Sequence, residues 1–296
     1  MSAGVIALFG PTGVGKTDVA VALARALRER GARPVAVSAD ALQVYAGLEI
    51  LTGVASPAAR RELEHRLVSF VPVDARFSVA EYSELAHAEI DALLAEGATP
   101  LVVGGTGLYL RAALTDLSLR PPPPPGVRER WQAELDRSGP HALHALLAER
   151  APWAAATIDP ADRRRIVRAL ELEEIGALEP PEGESQLWSA EVRHPTRLIG
   201  LVMEREALYA RIDRRVDVMV AAGVIDEVRA AHRAGASSTA RAALGFSELL
   251  AGDVDAMKRR TRNYAKRQLT WMRKLAGVEL VDADERSPDE LAAALR

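Results

Sequence analysis

Short apolar runs alternate with helical patterns along the first part of the chain. Val5–Phe9 is an uninterrupted apolar run of strand length, and residues 35–37 and 101–103 form two more. Between them, apolar residues recur at helical spacing and predict helices over residues 17–30 and 79–96. Strands that alternate with helices form parallel sheets covered by helices on both faces. The pattern therefore predicts an α/β fold.

The pattern changes in the middle of the chain. Residues 121–125 are all proline, which fits neither a helix interior nor a central strand. Residues 117–195 are typical of helices with polar joints, and they end in a loop-like stretch over residues 180–185. We interpret residues 117–195 as a helical insert that divides one core domain into residues 1–116 and 196–296.

The α/β pattern resumes after the insert. Residues 197–202 have the apolar pattern of a further strand. Three helices are predicted after it, over residues 206–222, 225–234 and 254–276. No internal repeat is visible.

A glycine-rich turn joins the first strand to the first helix. It matches the pattern G-x-x-x-x-G-K-[ST] without a mismatch, in the strand-to-helix context that the motif requires, through Gly10, Pro11, Thr12, Gly13, Val14, Gly15, Lys16 and Thr17. Glycines let successive backbone N–H groups surround phosphate oxygens, and the helix N-terminus adds its positive end. Lys16 supplies a charge, and the Thr17 hydroxyl can bind Mg²⁺. The motif predicts a P-loop that binds polyphosphate.

An acidic residue follows the second strand instead of the third. P-loop kinases and NTPases hold Mg²⁺ with an acid at the end of a buried strand, but residues 101–103 lead into Gly-Gly-Thr-Gly. Asp40 stands after residues 35–37. Because the carboxyl ends of parallel strands share one edge, Asp40 and Thr106 are expected beside the bound phosphate. Asp40 is then either a metal ligand or proton acceptor, or the N-cap of a helix.

Composition narrows the class of protein. Hydrophobic residues make up 48% and charged residues 27% of the chain, as in ordinary globular proteins. Without cysteine, disulfides, thiolate catalysis and cysteine-based zinc sites are excluded. No signal peptide or membrane span is predicted, so a cytoplasmic protein is expected. The net charge of −3 argues against indiscriminate nucleic-acid binding but allows a local basic face.

A strongly basic segment lies near the end of the chain. Residues 258–274 contain eight basic residues and no acidic one. Tyr264 and Trp271 are seven residues apart on the same helix face, where core packing is favoured over base stacking. A second basic cluster, residues 163–168, lies in the insert, and Arg128 is a third candidate. Such groups either stay solvated or bind the phosphates of a nucleic acid.

Taken together, these segments resemble the tRNA dimethylallyltransferases, also called tRNA isopentenyltransferases. The resemblance spans the chain in order and rests on the P-loop, Ser38-Ala39-Asp40 with Gln43-Val44-Tyr45, Gly104-Gly105-Thr106-Gly107-Leu108-Tyr109, Arg168-Ala169-Leu170-Glu171, Arg211-Ile212 with Arg215, and Ala265-Lys266-Arg267-Gln268-Leu269-Thr270-Trp271. At residues 49–55 the family usually reads Asp-Ile-Gly-Thr-Ala-Lys-Pro, whereas this chain reads Glu-Ile-Leu-Thr-Gly-Val-Ala.

The resemblance implies a reaction and roles for its residues. The family transfers a dimethylallyl group from dimethylallyl diphosphate to the exocyclic amine of the adenosine on the 3′ side of the anticodon. It implies Asp40, Thr106 and Arg215 as catalytic residues, the P-loop as the diphosphate site and Thr17 with Mg²⁺. It also implies tRNA contacts by Asp40, Ala41, Leu42, Gln43, Thr106, Arg128, Arg164, Arg165, Ile166, Val167, Arg168, Gly245, Phe246, Arg262, Lys266, Arg267 and Gln268. A monomer is expected.

Three alternatives stay open. Prenylation of free adenine nucleotides needs neither a basic helix nor a helical insert. A P-loop kinase or NTPase needs a second Mg²⁺-binding acid and a pocket for a nucleotide base, neither of which the sequence supplies. An RNA-binding module without catalysis has no need to keep Lys16, Thr17 and Asp40.

Overall fold

The computed structural model describes residues 4–180 and 186–295 and divides them between two compact units. The first unit consists of Met1–Leu117 and Leu187–Arg296, and the second is Ser118–Gln186. The predicted end of the insert, at residue 195, therefore lies nine residues after the observed end of the second unit at Gln186. Residues 187–195 belong to the first unit because Trp188 packs on Trp271, with ring centroids 4.5 Å apart, and Arg193 pairs with Asp91.

The first unit is built on one sheet of six parallel strands. In chain order these are β1 (Val5–Phe9), β2 (Pro34–Ser38), β3 (His65–Arg66), β4 (Thr99–Gly104), β5 (Thr196–Val202) and β6 (Glu279–Asp282). Their order across the sheet is β3-β2-β4-β1-β5-β6, and every neighbouring pair is parallel. The predicted α/β fold with a parallel sheet is confirmed.

Helices connect these strands and form the second unit. In chain order they are α1 (Lys16–Arg28), α2 (Glu49–Thr52), α3 (Pro57–Glu62), α4 (Val79–Ala95), α5 (Gly107–Leu114), α6 (Val127–Arg150), α7 (Pro152–Ala155), α8 (Arg163–Glu174), α9 (Arg205–Ala221), α10 (Val224–Arg233), α11 (Phe246–Leu250), α12 (Val254–Met272) and α13 (Pro288–Ala294), with a 3₁₀ turn at Ala240–Ala242. Among the residues that the structure describes, no helix is both long and apolar enough to cross a membrane.

Side chains alternate across the central strand, so helices cover both faces of the sheet. Val5, Ala7 and Phe9 lie in one core, which also contains residues of α4 and α5. Leu8 points the other way, into a core formed with α1 and α13. Because successive side chains of a strand point to opposite faces of the sheet, a short apolar strand contributes to both cores.

The second unit has a small core of its own, made by α6, α7 and α8. Leu143 and Leu147 pack there with Ile166 and Leu170, and all four are almost fully buried. α6 is kinked at Gly139, whose φ of 80° is not helical, and Pro140 follows it. The proline run lies outside any helix or strand, as predicted. Within the loop predicted over residues 180–185, residues 181–185 lie outside the described residues.

Candidate active site

The predicted site residues meet at one edge of the sheet. β4 lies between β1 and β2, so the P-loop after β1, Thr106 after β4 and Asp40 after β2 follow three adjacent strands. Carboxyl ends of adjacent parallel strands form the crevice where α/β proteins bind ligands. This arrangement was predictable from chain order and strand direction alone.

The P-loop folds back on itself before α1. Gly13 and Gly15 have φ values of 86° and 100°, a left-handed conformation that glycine adopts without strain. The Val14 N–H donates to the carbonyl of Pro11, at 3.3 Å, and closes the turn. α1 begins at Lys16, so its unpaired N–H groups and positive end face the space inside the loop.

Lys16 is held inside the P-loop. Its ammonium donates to the carbonyl oxygens of Gly10 and Pro11, at 2.9 and 3.0 Å. Burial, followed by the charge of Arg215, lowers its pKa from 10.5 to about 8, although the charge of Asp40 acts in the opposite direction. Lys16, Arg215 and Asp40 therefore lie close enough for their charges to interact.

The lowered pKa of Lys16 predicts a pH dependence for anion binding. A bound diphosphate favours the ammonium, so above about pH 8 the free protein must take up a proton in order to bind. Affinity for an isoprenoid diphosphate should be constant below pH 8 and fall by up to about tenfold per pH unit above it. Titration calorimetry at pH 7, 8 and 9 measures this. Lys16→Arg, whose side chain does not titrate there, should remove the dependence, and an unchanged dependence would assign it to another group.

Asp40 closes the turn that follows β2. Its Oδ1 accepts hydrogen bonds from the backbone N–H groups of Leu42, at 2.9 Å, and Gln43, at 3.4 Å. The next helix, α2, begins only at Glu49, so Asp40 is not a helix N-cap. Since both bonds use Oδ1, the turn fixes the carboxylate while Oδ2 can accept a proton.

Thr106 lies between Asp40's turn and α12. Its Oγ1 is 3.5 Å from the N–H of Ala41 and 3.4 Å from the hydroxyl of Tyr264. Burial, followed by the charge of Asp40, raises the pKa of Tyr264 to about 12, so the phenol stays protonated at neutral pH. Tyr264 thus faces the site instead of the core. Thr106 is placed to position the Asp40 turn, and its catalytic role stays a prediction.

Gln268 joins the P-loop to the end of β4. Its Oε1 accepts from the N–H of Thr12, at 2.8 Å, and its Nε2 donates to the carbonyl of Gly105, at 2.7 Å. The side chain is only 4% exposed. We call this pair of bonds the Gln268 strap. The resemblance implied a tRNA contact for this residue, but its amide is already used within the protein.

Removing the Gln268 strap should destabilise the fold. In Gln268→Ala the Thr12 N–H and the Gly105 carbonyl lose their hydrogen-bond partners. Each buried polar group left without a partner lowers the free energy of unfolding by about 1–3 kcal/mol. We therefore expect a clear fall in the urea midpoint of unfolding and weaker diphosphate binding. Gln132→Ala is the matched control, because Gln132 is exposed and bonds only to Asp136 on its own helix. Equal midpoints for the two variants would contradict a role for the strap.

α9 directs two arginines toward the P-loop. Arg211 and Arg215 are one helical turn apart, on the same face of the helix. A Cβ atom placed on Gly15 would lie 3.1 Å from Nη2 of Arg211, so this guanidinium rests against the loop. Burial lowers the pKa of Arg215, while the charges of Asp40 and Asp18 raise it. Arg211 was not among the predicted site residues, although its spacing of four from Arg215 was visible in the sequence.

Other predicted tRNA contacts in the first unit are partly occupied or buried. Gln43 donates to the carbonyls of Thr52 and Gly53. Arg262 forms an ion pair with Asp213 at 2.6 Å. Ala41 and Leu42 are half-buried, Gly245 precedes α11, and Lys266 and Arg267 are exposed on α12. The side chain of Phe246 is 1% exposed and packs in the core, and a tRNA contact by this residue stays a prediction.

The predicted contacts in the second unit divide in the same way. Arg128 and Arg168 both pair with Glu171, whose side chain is fully buried. Arg168 also donates to the carbonyl of Pro121, at 2.7 Å. These two arginines hold the unit together, which the sequence pattern did not reveal.

The remaining predicted residues of the second unit lie on α8. Arg164 and Arg165 are exposed, and Arg165 makes only a 3.5 Å contact with Asp162. Ile166 and Val167 are 0% and 7% exposed, because the apolar face of α8 packs into the core of its unit. Their side chains are therefore used in packing, and a tRNA contact by either residue stays a prediction. Arg163, Arg164 and Arg165 are the exposed cations of this cluster, and Arg163 pairs with Asp136.

The residues around Thr17 suit a magnesium ion shared with a phosphate. Thr17 lies in the first turn of α1, beside the loop amides, and offers a hard oxygen ligand. The described residues contain no group of three or more His, Asp or Glu side chains that could form a complete metal site. Mg²⁺ commonly takes one or two protein ligands and completes its shell with phosphate oxygens and water.

Comparisons with known proteins agree along nearly the whole chain. The family model "IPP transferase" matches residues 43–275. The tRNA dimethylallyltransferase of Kineococcus radiotolerans is 42% identical over 303 residues, covering 97% of this chain and 94% of that protein. The tRNA dimethylallyltransferase of Thermobifida fusca is 43% identical over 296 residues, which cover 96% of this chain and 91% of that protein. The crystal structure of the tRNA isopentenylpyrophosphate transferase from Bacillus halodurans aligns with a TM-score of 0.71 at 33% identity. The alignment covers 99% of this chain and 94% of that protein.

Proposed function

Because this chain belongs to the IPP transferase family, we propose that it transfers the dimethylallyl group of dimethylallyl diphosphate to tRNA. The acceptor is the exocyclic amine of the adenosine that follows the anticodon on its 3′ side. The observation that carries the proposal is that the P-loop, Thr106 and Asp40 follow three adjacent parallel strands, which brings a proton acceptor and a phosphate cradle to one edge of the sheet.

The reaction needs a base and a cradle for the leaving group. The adenine nitrogen forms a bond to the first carbon of the dimethylallyl group, the carbon–oxygen bond to diphosphate breaks, and its electron pair leaves with the diphosphate. The amine proton passes to Asp40. The P-loop N–H groups, Lys16 and Arg215 stabilise the negative charge that develops on the diphosphate. Thr106 and the protonated hydroxyl of Tyr264 position the Asp40 turn.

Magnesium completes the diphosphate site in this proposal. The Thr17 hydroxyl would hold Mg²⁺ beside the diphosphate of the donor. When bound, the ion supplies positive charge that neutralises the diphosphate. The P-loop amides, Lys16 and Arg215 would orient the diphosphate.

The acceptor reaches the site from a nucleic acid. Adenine in an anticodon loop must leave its stack before its amine can approach Asp40. Exposed cations on α12 and α8 bind tRNA phosphates, whose contacts position the RNA without reading its bases. We further propose that the protein acts as a cytoplasmic monomer.

One experiment separates this function from its alternatives. The protein is incubated with labelled dimethylallyl diphosphate, Mg²⁺ and unmodified tRNA, without any nucleoside triphosphate, and the digested nucleosides are then analysed. Labelled isopentenyladenosine from tRNA is expected. Label on free AMP, ADP or ATP but not on tRNA would favour nucleotide prenylation. An absolute requirement for ATP would favour a kinase or NTPase.

Salt dependence tests which cations bind tRNA. In Arg165→Ala and Lys266→Ala, each lost phosphate contact should weaken tRNA binding and flatten the plot of log affinity against log salt by about 0.7–0.9 units. Filter binding or fluorescence anisotropy between 50 and 200 mM salt, roughly the range where such slopes are measured, provides the data.

Two variants serve as controls for the salt series. Arg28→Ala removes an exposed cation from the end of α1 opposite the P-loop and should leave the slope unchanged. Arg215→Ala should lose donor binding but keep the tRNA slope. If Arg215→Ala flattened the slope while Lys266→Ala did not, the division between tRNA cations and diphosphate cations would be wrong.

A further inference from the structure

A pocket of about 420 Å³ lies between α9 and α12, beside the end of β5. Small-molecule sites in proteins usually have volumes of about 300–1,000 Å³, so this pocket is large enough for a small ligand. No residue of the P-loop lines it, and neither Asp40 nor Thr106 does. The pocket is therefore separate from the candidate active site.

α12 presents different faces to the active site and to the pocket. Gln268 binds Thr12 of the P-loop on one side of the helix. Lys266, Thr270 and Arg273 line the pocket, and their spacings of four and three residues place them together on another face. At 3.6 residues per turn, that face lies about half a turn away from Gln268. A ligand in the pocket would thus be on the far side of α12 from the reaction.

Three cations line the pocket, and no acidic residue does. They are Arg205 at the start of α9 and Lys266 and Arg273 on α12, and all three side chains are exposed. Over residues 4–180 and 186–295, which the structure describes, none of these three side chains has an ion pair or a hydrogen bond. Their charges are therefore available to an anion that comes from outside the protein.

Other cations between the same two helices are already neutralised. Lys258 pairs with Asp217 and Arg262 pairs with Asp213, both at 2.6 Å. Glu204 is the acid next to Arg205 in the sequence, but its carboxylate caps the backbone at the start of α9. The excess of positive charge is thus confined to the part of the α9–α12 interface that surrounds the pocket.

The least exposed residues of the lining are mostly apolar. Leu208 is 1% exposed, and Met203 and Leu269 are half-buried, whereas the three cations are exposed. The pocket therefore has a cationic rim and an apolar base. Such a base favours an apolar group and disfavours a second charged one. A bare inorganic anion would use only the rim.

Tyr209 also lines the pocket, and its hydroxyl is buried without a hydrogen-bond partner among the described residues. Because nearly all buried polar atoms in native proteins have a partner, such a group indicates a missing ligand or water. The guanidinium of Arg262 lies over the ring, 5.9 Å from its centroid, so this ring face is not free to stack on a nucleobase. The hydroxyl, rather than the ring, is what Tyr209 offers to a ligand.

We propose that the pocket binds a small phosphorylated molecule with an apolar group, the chemical class to which isoprenoid diphosphates belong. The phosphate contacts the cations of the rim and accepts a hydrogen bond from the hydroxyl of Tyr209. The apolar group rests on the base of the pocket. This second phosphate site takes no part in the proposed transfer, since the P-loop and Asp40 lie outside it.

Calorimetry with dimethylallyl diphosphate in Lys16→Ala, without Mg²⁺, tests the pocket while the P-loop site is weakened. We expect one bound molecule per chain. Adding Arg205→Ala or Arg273→Ala should weaken its binding by about tenfold or more, because each removes a charged contact to phosphate. Lys258→Ala, from the same helix pair, is the matched control and should have no effect. Lys266 is not varied, since it is a proposed tRNA contact.

Two further measurements test the base of the pocket and the hydroxyl. Inorganic diphosphate, which has the head group alone, should bind about tenfold or more weakly than dimethylallyl diphosphate. Tyr209→Phe should weaken ligand binding severalfold without lowering the melting temperature, because the hydroxyl has no partner to lose in the free protein. A structural role for the hydroxyl would have the opposite result, with a lower melting temperature and unchanged affinity, and would overturn the proposal.

A tRNA phosphate shares the chemistry of the rim, so tRNA binding is measured in the same variants. Wild-type tRNA affinity in Arg205→Ala and Arg273→Ala is expected. If these variants lost affinity for tRNA but not for dimethylallyl diphosphate, the phosphate would belong to tRNA and the proposal would be wrong. No binding by Lys16→Ala, an equal loss in Lys258→Ala, or equal affinity for inorganic diphosphate would also overturn it. None of these outcomes depends on whether the protein transfers a dimethylallyl group.

Discussion

Asp40→Asn is expected to lower turnover by about a hundredfold or more, the usual scale for losing a general base. An amide cannot take the proton that the adenine amine loses when the new carbon–nitrogen bond forms. Binding of tRNA and of diphosphate should change little. Single-turnover rates with saturating substrates measure the effect on the chemical step.

The substitution can be interpreted because it should preserve the local fold. The Oδ1 of an asparagine can still accept from the N–H groups of Leu42 and Gln43 and keep the turn. Asp253→Asn is the matched control, since Asp253 accepts the N–H of Ala256 at the start of α12 in a similar way. Full turnover in Asp40→Asn would contradict the assignment of Asp40 as the general base.

Lys16→Ala should lower kcat/KM for the donor by about a hundredfold, because a charged hydrogen bond to phosphate contributes up to about 3 kcal/mol. The loss should appear in diphosphate affinity measured by calorimetry, whereas tRNA affinity and its salt slope stay the same. Burial already disfavours the Lys16 ammonium, as its lowered pKa indicates, so the variant should not melt at a lower temperature.

Lys258→Ala is the control for Lys16. Lys258 pairs with Asp217 away from the P-loop, and its removal should leave donor binding unchanged. Equal losses in the two lysine variants would indicate a general charge effect. Donor binding that survives in Lys16→Ala would place the diphosphate elsewhere.

The central strands were predictable because each buries both of its faces. β1, β2 and β4 are short apolar runs, and a run of this kind stands out without knowledge of its neighbours. β3 has only two residues, and β6 is mostly exposed, so neither produces such a run. The helix α5 was missed because Gly-Gly-Thr-Gly resembles a break, although Thr106 immediately precedes the helix.

The site was predictable where chain order alone brings residues together. The P-loop, Asp40 and Thr106 each follow a strand of one parallel sheet, so strand direction places them at the same edge. The Gln268 strap depends on how α12 packs against the sheet, and no local pattern contains that information. Glu171 was visible in the sequence, but only the fold shows that two arginines converge on it.

The strap also has a consequence for how the protein is made. It joins residues that are 256 positions apart, and a ribosome delivers Thr12 long before Gln268. The central strand β1 likewise pairs with β5, which is synthesised only after the second unit. A nascent chain therefore carries the whole P-loop sequence without a finished phosphate site. Proteolytic removal of α12 from the mature protein would return it to that immature condition, with its N-terminal motif intact and its affinity for diphosphate lost.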